Sequence, residues 1–314
     1  MANSIRQKQG PSFIIKGLIF FIILFFLDYS IGNLLRYFYF KQDSGLLYRT
    51  TYALDSTKAD ILIFGSSTAN HHYIPALFTQ GLHLSCYNTG RDGNNILYSY
   101  AILQGVLRRH PPKLIILDIY NREFRQGQET YDRITSLLPY YGNHPEIRKI
   151  IELKSPYEKY KIFSKIYPFN SLLFTIAVGN ADFNKNRESI NDQNGYVPLK
   201  GNWQKPLSID TSLPTYKLDS IKIKYFKSFI RECQKSGIRL YLVSSPKFIK
   251  FKYEDPTLGV LKAVADEFNI PFYNFTNDSL YLNHRELYFN KDHLNGKGAE
   301  IFTNRIISRI KDEQ

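Results

Sequence analysis

The sequence predicts an α/β fold: a parallel sheet of about five strands covered by helices on both faces. Three observations predict it. Short apolar runs of strand length alternate with longer stretches whose apolar residues recur at helical spacing. An almost purely apolar segment precedes this pattern, and one long stretch, residues 122–215, interrupts it.

The first element is the apolar segment. In SFIIKGLIFFIILFFLDYSIGNLL, Ser12 to Leu35, the centre from Gly17 to Leu27 is apolar, and Arg6, Lys8 and Lys16 precede it with no acid among them. Residues 1–35 read as a membrane anchor, with Lys16 long enough to snorkel and Asp28 near the far interface. A cleaved signal peptide is the competing reading, because Ser30 and Gly32 are small residues spaced as at a weak cleavage site. Either reading puts the N-terminus inside and the bulk of the chain outside the cytoplasmic membrane.

Residues 36–59 form a mixed aromatic and polar connector, and the α/β domain covers 60–314. ILIF (Ile61 to Phe64) is a strand ending at Gly65, HLSCYN (His83 to Asn88) a second, and KLIILDI (Lys113 to Ile119) a third after a Pro-Pro break. A helix between the second and third, Asn94 to His110, has Asp92 or Asn94 as its cap. The pattern resumes near Tyr216. Leu218, Ile221, Tyr225, Phe229 and Cys233 mark one helix face, Gly237 a left-handed C-terminal cap, and IRLYLVSSP the next strand. Leu258, Leu261, Ala265 and Phe268 give another helix, PFYNF a short strand, and Ala299, Phe302, Ile306 and Ile310 the last helix. With right-handed crossovers these elements make a doubly wound, flavodoxin-like three-layer sandwich. Residues 122–215 read as an inserted, mostly helical cap leaving the end of the third strand, too long for an ordinary loop.

Composition narrows the function classes. The 314 residues carry a net charge of +13, with a pI near 9.4, and the basic residues are densest from Lys217 to Lys252. No zinc-finger spacing, RNA-binding aromatic signature or basic-zipper pattern accompanies that charge, so no nucleic-acid partner is expected; a solvated helix face near anionic polymer or lipid headgroups is. Cys86 and Cys233 are too few for a disulfide framework and too far apart for a metal motif. His71 and His72 are adjacent and therefore diverge, and no partner at ligand spacing accompanies them; no metal and no cofactor is expected.

Ligands of an open parallel sheet bind at the carboxyl ends of the strands. Those ends carry Gly65-Ser66-Ser67-Thr68, Asn88-Thr89-Gly90, Asp118 to Asn121 and Ser244-Ser245, with Asp292-His293 before the last helix. A serine hydroxyl becomes a nucleophile only when a base takes its proton and donors await the oxyanion. Taken alone, Gly-Ser-Ser after a strand equally suits a helix cap or an anion cradle.

In combination these blocks resemble the SGNH (GDSL-like) hydrolase superfamily, named for its Ser, Gly, Asn and His blocks. FGSS matches the first block with serine in place of aspartate and implies Ser67 as nucleophile; YNTGRDGNN supplies Gly90 and NKDHLNGKGAEIF supplies His293 as base. LDIYNREF departs from the third block but offers Asn121, so Ser67 and Gly90 N–H groups with the Asn121 amide are the implied oxyanion donors. Where the family has an aspartate three residues before the histidine, this chain has Asn290, and the nearest carboxylate is Asp292. Either is open as the group that orients His293. With its anchor the chain is similar to the membrane-bound envelope branch, including alginate O-acetylation proteins and the acyl-transfer protein of D-alanyl-lipoteichoic acid synthesis. That resemblance implies a serine esterase or O-acyltransferase in the bacterial inner membrane. It also implies a cell-surface glycan or acyl donor as substrate and a membrane acyl-transfer protein as partner. A non-catalytic protein that keeps the scaffold and binds envelope polysaccharide is the alternative.

Overall fold

The computed structural model describes residues 10–181 and 193–313, so Arg6 and Lys8 of the basic flank and residues 182–192 of the insertion lie outside the described residues. Nine strands occur among the described residues: β1 Ile61–Phe64, β2 Cys86–Asn88, β3 Leu114–Asp118, β4 Ser208–Asp210, β5 Arg239–Ser244, β6 Ile249–Phe251, β7 Phe272–Asn274, β8 Tyr288–Asn290 and β9 His293–Leu294. Five of them form one parallel sheet in the order β2-β1-β3-β5-β7, the flavodoxin-like arrangement expected from the sequence. Register is set by Ile61 opposite both Cys86 and Leu114, and by Leu114 opposite Arg239.

Period-two alternation sorts each strand's side chains between two cores. Leu62, Phe64, Ile115, Leu117, Leu240 and Leu242 face one core, whose cover includes the helices Ile96–Leu107, Ser220–Lys235 and Pro256–Phe268. Ile61, Ile63, Leu114, Ile116, Tyr241 and Val243 face the other, under Pro75–Leu82 and the C-terminal helix Gly296–Asp312. Because both faces are covered, the strands read as continuous apolar runs. Loops leaving β1 and β3 pass to opposite faces, which opens a crevice between their carboxyl ends.

Several elements differ from the sequence expectation. The connector contains a helix, Gly45–Asp55, that buries Leu47, Thr50, Ala53 and Leu54 against the first core. The helix after β2 starts at Ile96 and is capped by Asn95, whose side chain accepts the Leu97 N–H at 2.9 Å. On Ser220–Lys235 the buried face is Lys222, Phe226, Phe229, Ile230 and Cys233, while Ile221 is exposed. The stripe turns because Lys222 threads inward: its Nζ donates to the carbonyl oxygens of Glu123 at 2.7 Å and Arg125 at 2.6 Å. Gly237 does hold the left-handed position after that helix, at φ +67°.

The insertion has two parts with different uses. Residues 128–180 are a run of short helical turns, and Ile134, Leu137, Tyr140, Ile147 and Ile151 complete the first core. Residues 193–212 are extended, and β4 pairs in parallel with β6. The N-terminal helix, Gly10–Phe40, includes one segment, Ser12–Phe40, long and apolar enough to cross a membrane. Its most apolar stretch is unburied, but Asp28 bonds residues 164–166 of the insertion, and at the far end Tyr39 is buried against Tyr140 and Phe169.

Candidate functional site

β1 delivers the backbone at Gly65 against β3, where a Cβ would stand 2.5 Å from the Asp118 carbonyl oxygen; at φ +144° only glycine takes this turn without strain. The chain then enters a short helix, Ser67–His72, with Ser67 as its first residue. A residue there has no intrahelical acceptor for its N–H. The Ser67 hydroxyl therefore stands beside an amide that its own helix leaves without an acceptor.

The hairpin β8–β9 brings His293 to it. Ser67 Oγ lies 2.7 Å from His293 Nε2, across 226 residues of sequence. On the other side of the ring, Nδ1 lies 3.1 Å from Asn290 Oδ1, which also accepts the backbone N–H groups of Asp292 at 2.8 Å and His293 at 2.9 Å. An amide oxygen can only accept, so the proton sits on Nδ1 and the Nε2 lone pair faces Ser67. Asp292 turns away and pairs with Lys247 at 3.1 Å. Of the two candidate orienting groups, the structure places Asn290 at the ring and Asp292 beside it.

Electrostatics keep this imidazole neutral. Burial first, then the neighbouring His71, lower the His293 pKa from 6.5 to about 4, against the opposing pull of Asp292. His71 stacks edge-on to His293 with 5.4 Å between ring centres. Its Nδ1 meets the Val197 carbonyl oxygen at 2.7 Å and its Nε2 meets Asp92 Oδ2 at 3.2 Å. Burial works to raise the Asp92 pKa, but the His71 contact, with Asn70 and Arg49, brings it down to about 2.

His72 diverges from its neighbour, as adjacent residues on a helix must, and is fully buried. Its Nε2 accepts the Leu294 N–H at 3.0 Å, and burial pushes its pKa well below 6.5. This bond ties the strand carrying His293 to the helix carrying Ser67. Beneath both, buried Asp118 at the end of β3 accepts hydroxyls from Thr68 at 2.6 Å, Tyr73 at 2.5 Å, and Ser245. Burial raises the Asp118 pKa while the three hydroxyls pull it down. One carboxylate thus joins the ends of β1, β3 and β5.

Two sequence-predicted residues take other positions. The Gly90 N–H donates to its near neighbour Asn88 Oδ1 at 2.9 Å, so it is already engaged rather than open to an oxyanion. Asn121 lines a cleft with Tyr253, Asp255, Asn274 and Thr276, whose walls include neither Ser67 nor His293. The chain leaves β3 through Asn121 toward the opposite face, and that is the physical reason for the separation. Among the described residues, no group of three or more His, Cys, Asp or Glu side chains could hold a metal ion.

The cover over the site is the extended part of the insertion. The Asn88 N–H donates to the Asn194 carbonyl at 2.8 Å, the Val197 N–H to Asn70 at 3.1 Å and the Gly296 N–H to Leu199 at 3.1 Å. Gly195, at φ +88°, lies so close to Asn88 that a Cβ would overlap the Asn88 carbonyl oxygen. Arg49, from the helix that follows the N-terminal apolar helix, bonds Asn70 Oδ1 at 2.6 Å and the Gly195 carbonyl at 2.9 Å. The sequence reading named His72 and Asp118 but not the bonds they make, and it took the insertion as mostly helical where this strap is extended. The signals were the adjacent His71-His72 pair and the acid that closes the apolar run LIILD.

The fold and site together define a class: a doubly wound α/β sandwich with a serine–histidine pair at the carboxyl edge of its sheet. No family model matches the chain, and no curated protein matches it. Among solved structures, a Bacteroides fragilis protein described as a "putative acylhydrolase" is similar at a TM-score of 0.43 and 12% identity, covering 86% of this chain and 97% of that one. A likeness that distant leaves the functional reading to the site itself.

Proposed function

We propose that the protein is a membrane-anchored serine esterase or O-acyltransferase that acts on acyl groups of a cell-envelope glycan. The observation that carries the reading is the relay Ser67 Oγ, His293 Nε2, His293 Nδ1, Asn290 Oδ1, with separations of 2.7 and 3.1 Å at its two ends. Ser67 attacks the acyl carbonyl carbon as its proton passes to His293 Nε2. The Ser67 N–H, at the positive end of its helix, faces the developing oxyanion. The tetrahedral intermediate expels the alcohol, which takes the proton from His293, and the acyl group remains on Ser67. Water as the second acceptor gives an esterase, and a sugar hydroxyl gives a transferase.

The setting follows from the resemblance and the apolar helix: the bacterial inner membrane, N-terminus cytoplasmic, the α/β domain outside. There an acyl-transfer protein of the same membrane would supply the acyl donor.

The test uses the full chain in detergent with a fluorophosphonate serine probe. Labelling of the wild type that disappears in Ser67→Ala and falls in His293→Ala is expected, with turnover of acetyl esters in parallel. Labelling that persists in Ser67→Ala would overturn the assignment. A second reading, a scaffold that binds envelope glycan without turnover, is favoured by the uncharged Asn290 and the engaged Gly90 N–H. It predicts a folded, glycan-binding protein that the probe never labels.

A further inference from the structure

We infer that residues 156–174 of the insertion form a platform that rests in the outer interface of the bilayer, holding the domain at a fixed height and orientation; this rests on the membrane-anchor reading. The argument begins with length. A hydrocarbon core of roughly 30 Å takes about 20 helical residues at 1.5 Å each. Counted from Phe13 the span ends at Gly32, and counted from Gly17, beyond Lys16, it ends at Arg36, the first charge after Asp28. The outer boundary thus falls between Gly32 and Arg36.

At that level the insertion already touches the helix. Asp28 accepts hydrogen bonds from the Ser164 hydroxyl at 2.5 Å, the Lys165 N–H at 2.7 Å and the Ile166 N–H at 3.3 Å. One turn on, Gly32 lies so close that a Cβ there would overlap the Lys165 backbone. An acid at this depth in a helix is costly unless donors satisfy it, and these donors come from the insertion. The segment around Lys165 must therefore sit at or just inside the boundary whenever the helix spans. Signal cleavage near Gly32 would discard the Asp28 contacts, so they also argue for retention of the helix.

The surface that this docking presents has interfacial chemistry. Tyr157, Tyr160, Phe163 and Phe174 are 65%, 58%, 78% and 82% exposed, flanked by exposed Lys159, Lys161 and Lys165. From Leu153 to Asn180 the only acid is Glu158, which is buried and pairs with Lys161 at 2.9 Å. Aromatic rings with cations and no exposed acid suit the headgroup level of an anionic membrane.

The experiment places spin labels at Phe163→Cys, Phe174→Cys, Leu24→Cys and Leu213→Cys in the full chain, reconstituted in phosphatidylethanolamine–phosphatidylglycerol vesicles. Collisions with oxygen and with a water-soluble nickel chelate report depth. Leu213, 64% exposed and remote in sequence from the helix contacts, is the aqueous reference. Positions 163 and 174 should show an oxygen-to-nickel ratio several-fold above that of 213, and position 24 a higher one still. If 163 or 174 reads as 213 does while 24 reads as lipid, the platform is wrong and the anchor stands. If 24 also reads as water, the anchor reading falls with it.

Discussion

Asn290 Oδ1 stands 3.1 Å from His293 Nδ1, in the place where a carboxylate would give both orientation and charge. It gives orientation alone. Three N–H groups converge on that one oxygen, two from the backbone of its own turn, so the amide cannot rotate without breaking the hairpin.

Two substitutions separate orientation from charge. Asn290→Ala should lower Ser67-dependent ester turnover by on the order of 100-fold or more, since the imidazole loses its tautomer control. Asn290→Asp keeps an acceptor and adds a negative charge, so it should raise the His293 pKa from about 4 and increase turnover. A pH–rate profile reads both. In the wild type the acid limb should fall near pH 4, and in Asn290→Asp it should move upward.

Acid should destabilise the fold through the same histidines. His72 and His293 titrate lower in the folded chain than the unfolded value of 6.5. Between about pH 6.5 and 4 the unfolded state therefore binds more protons, and stability falls as pH drops; above 6.5 this contribution is flat. Urea midpoints at pH 7.5, 6.0 and 5.0 should decline across the lower pair. His72→Gln, whose amide oxygen can stand in for Nε2 as acceptor of the Leu294 N–H, should lose part of that decline.

Gly195→Ala should loosen the strap. The new methyl overlaps the Asn88 carbonyl oxygen, and φ +88° is strained for any side chain. A loss of about 2 kcal/mol is expected from backbone strain and the clash together. Thermal melting measures the loss, and faster hydrogen exchange at Asn88, which donates to the strap, and at Val197, which donates from it to Asn70, localises it.

Asp118→Asn should unseat the turn that carries Ser67. Three hydroxyls donate to that carboxylate, and an amide nitrogen would face at least one of them. An unsatisfied buried partner costs about 2 kcal/mol. Probe labelling of Ser67 should slow, while Ser245→Ala, which removes one donor and leaves two, should slow it less.

The fold was legible because its strands are buried on both sides and the helix before β5 stops at the left-handed Gly237. Ile61 to Phe64 and Leu114 to Asp118 could hardly read otherwise. Ser67 and His293 were legible from their places, just after β1 and just before the last helix, together with the sequence blocks around them. Asn121 misled because its place after β3 says nothing of the direction in which the chain then turns. The Gly45–Asp55 helix hid in a connector whose apolar residues are spaced for a core made by distant partners. β4 and β6 are three residues each and pair across a gap of about forty, a relation that no local pattern carries.

Cys86 and Cys233 are both free and buried, and they belong to different cores, one on each face of the sheet. Burial raises both thiol pKa values, so neither reacts while its layer is closed. A thiol reagent in excess therefore acts as a pair of clocks. The rate at Cys86 times the opening of the layer that carries the serine and histidine, and the rate at Cys233 times the layer that carries the insertion. Whether the two halves of the sandwich breathe together or separately becomes a question that two native sulfur atoms can answer.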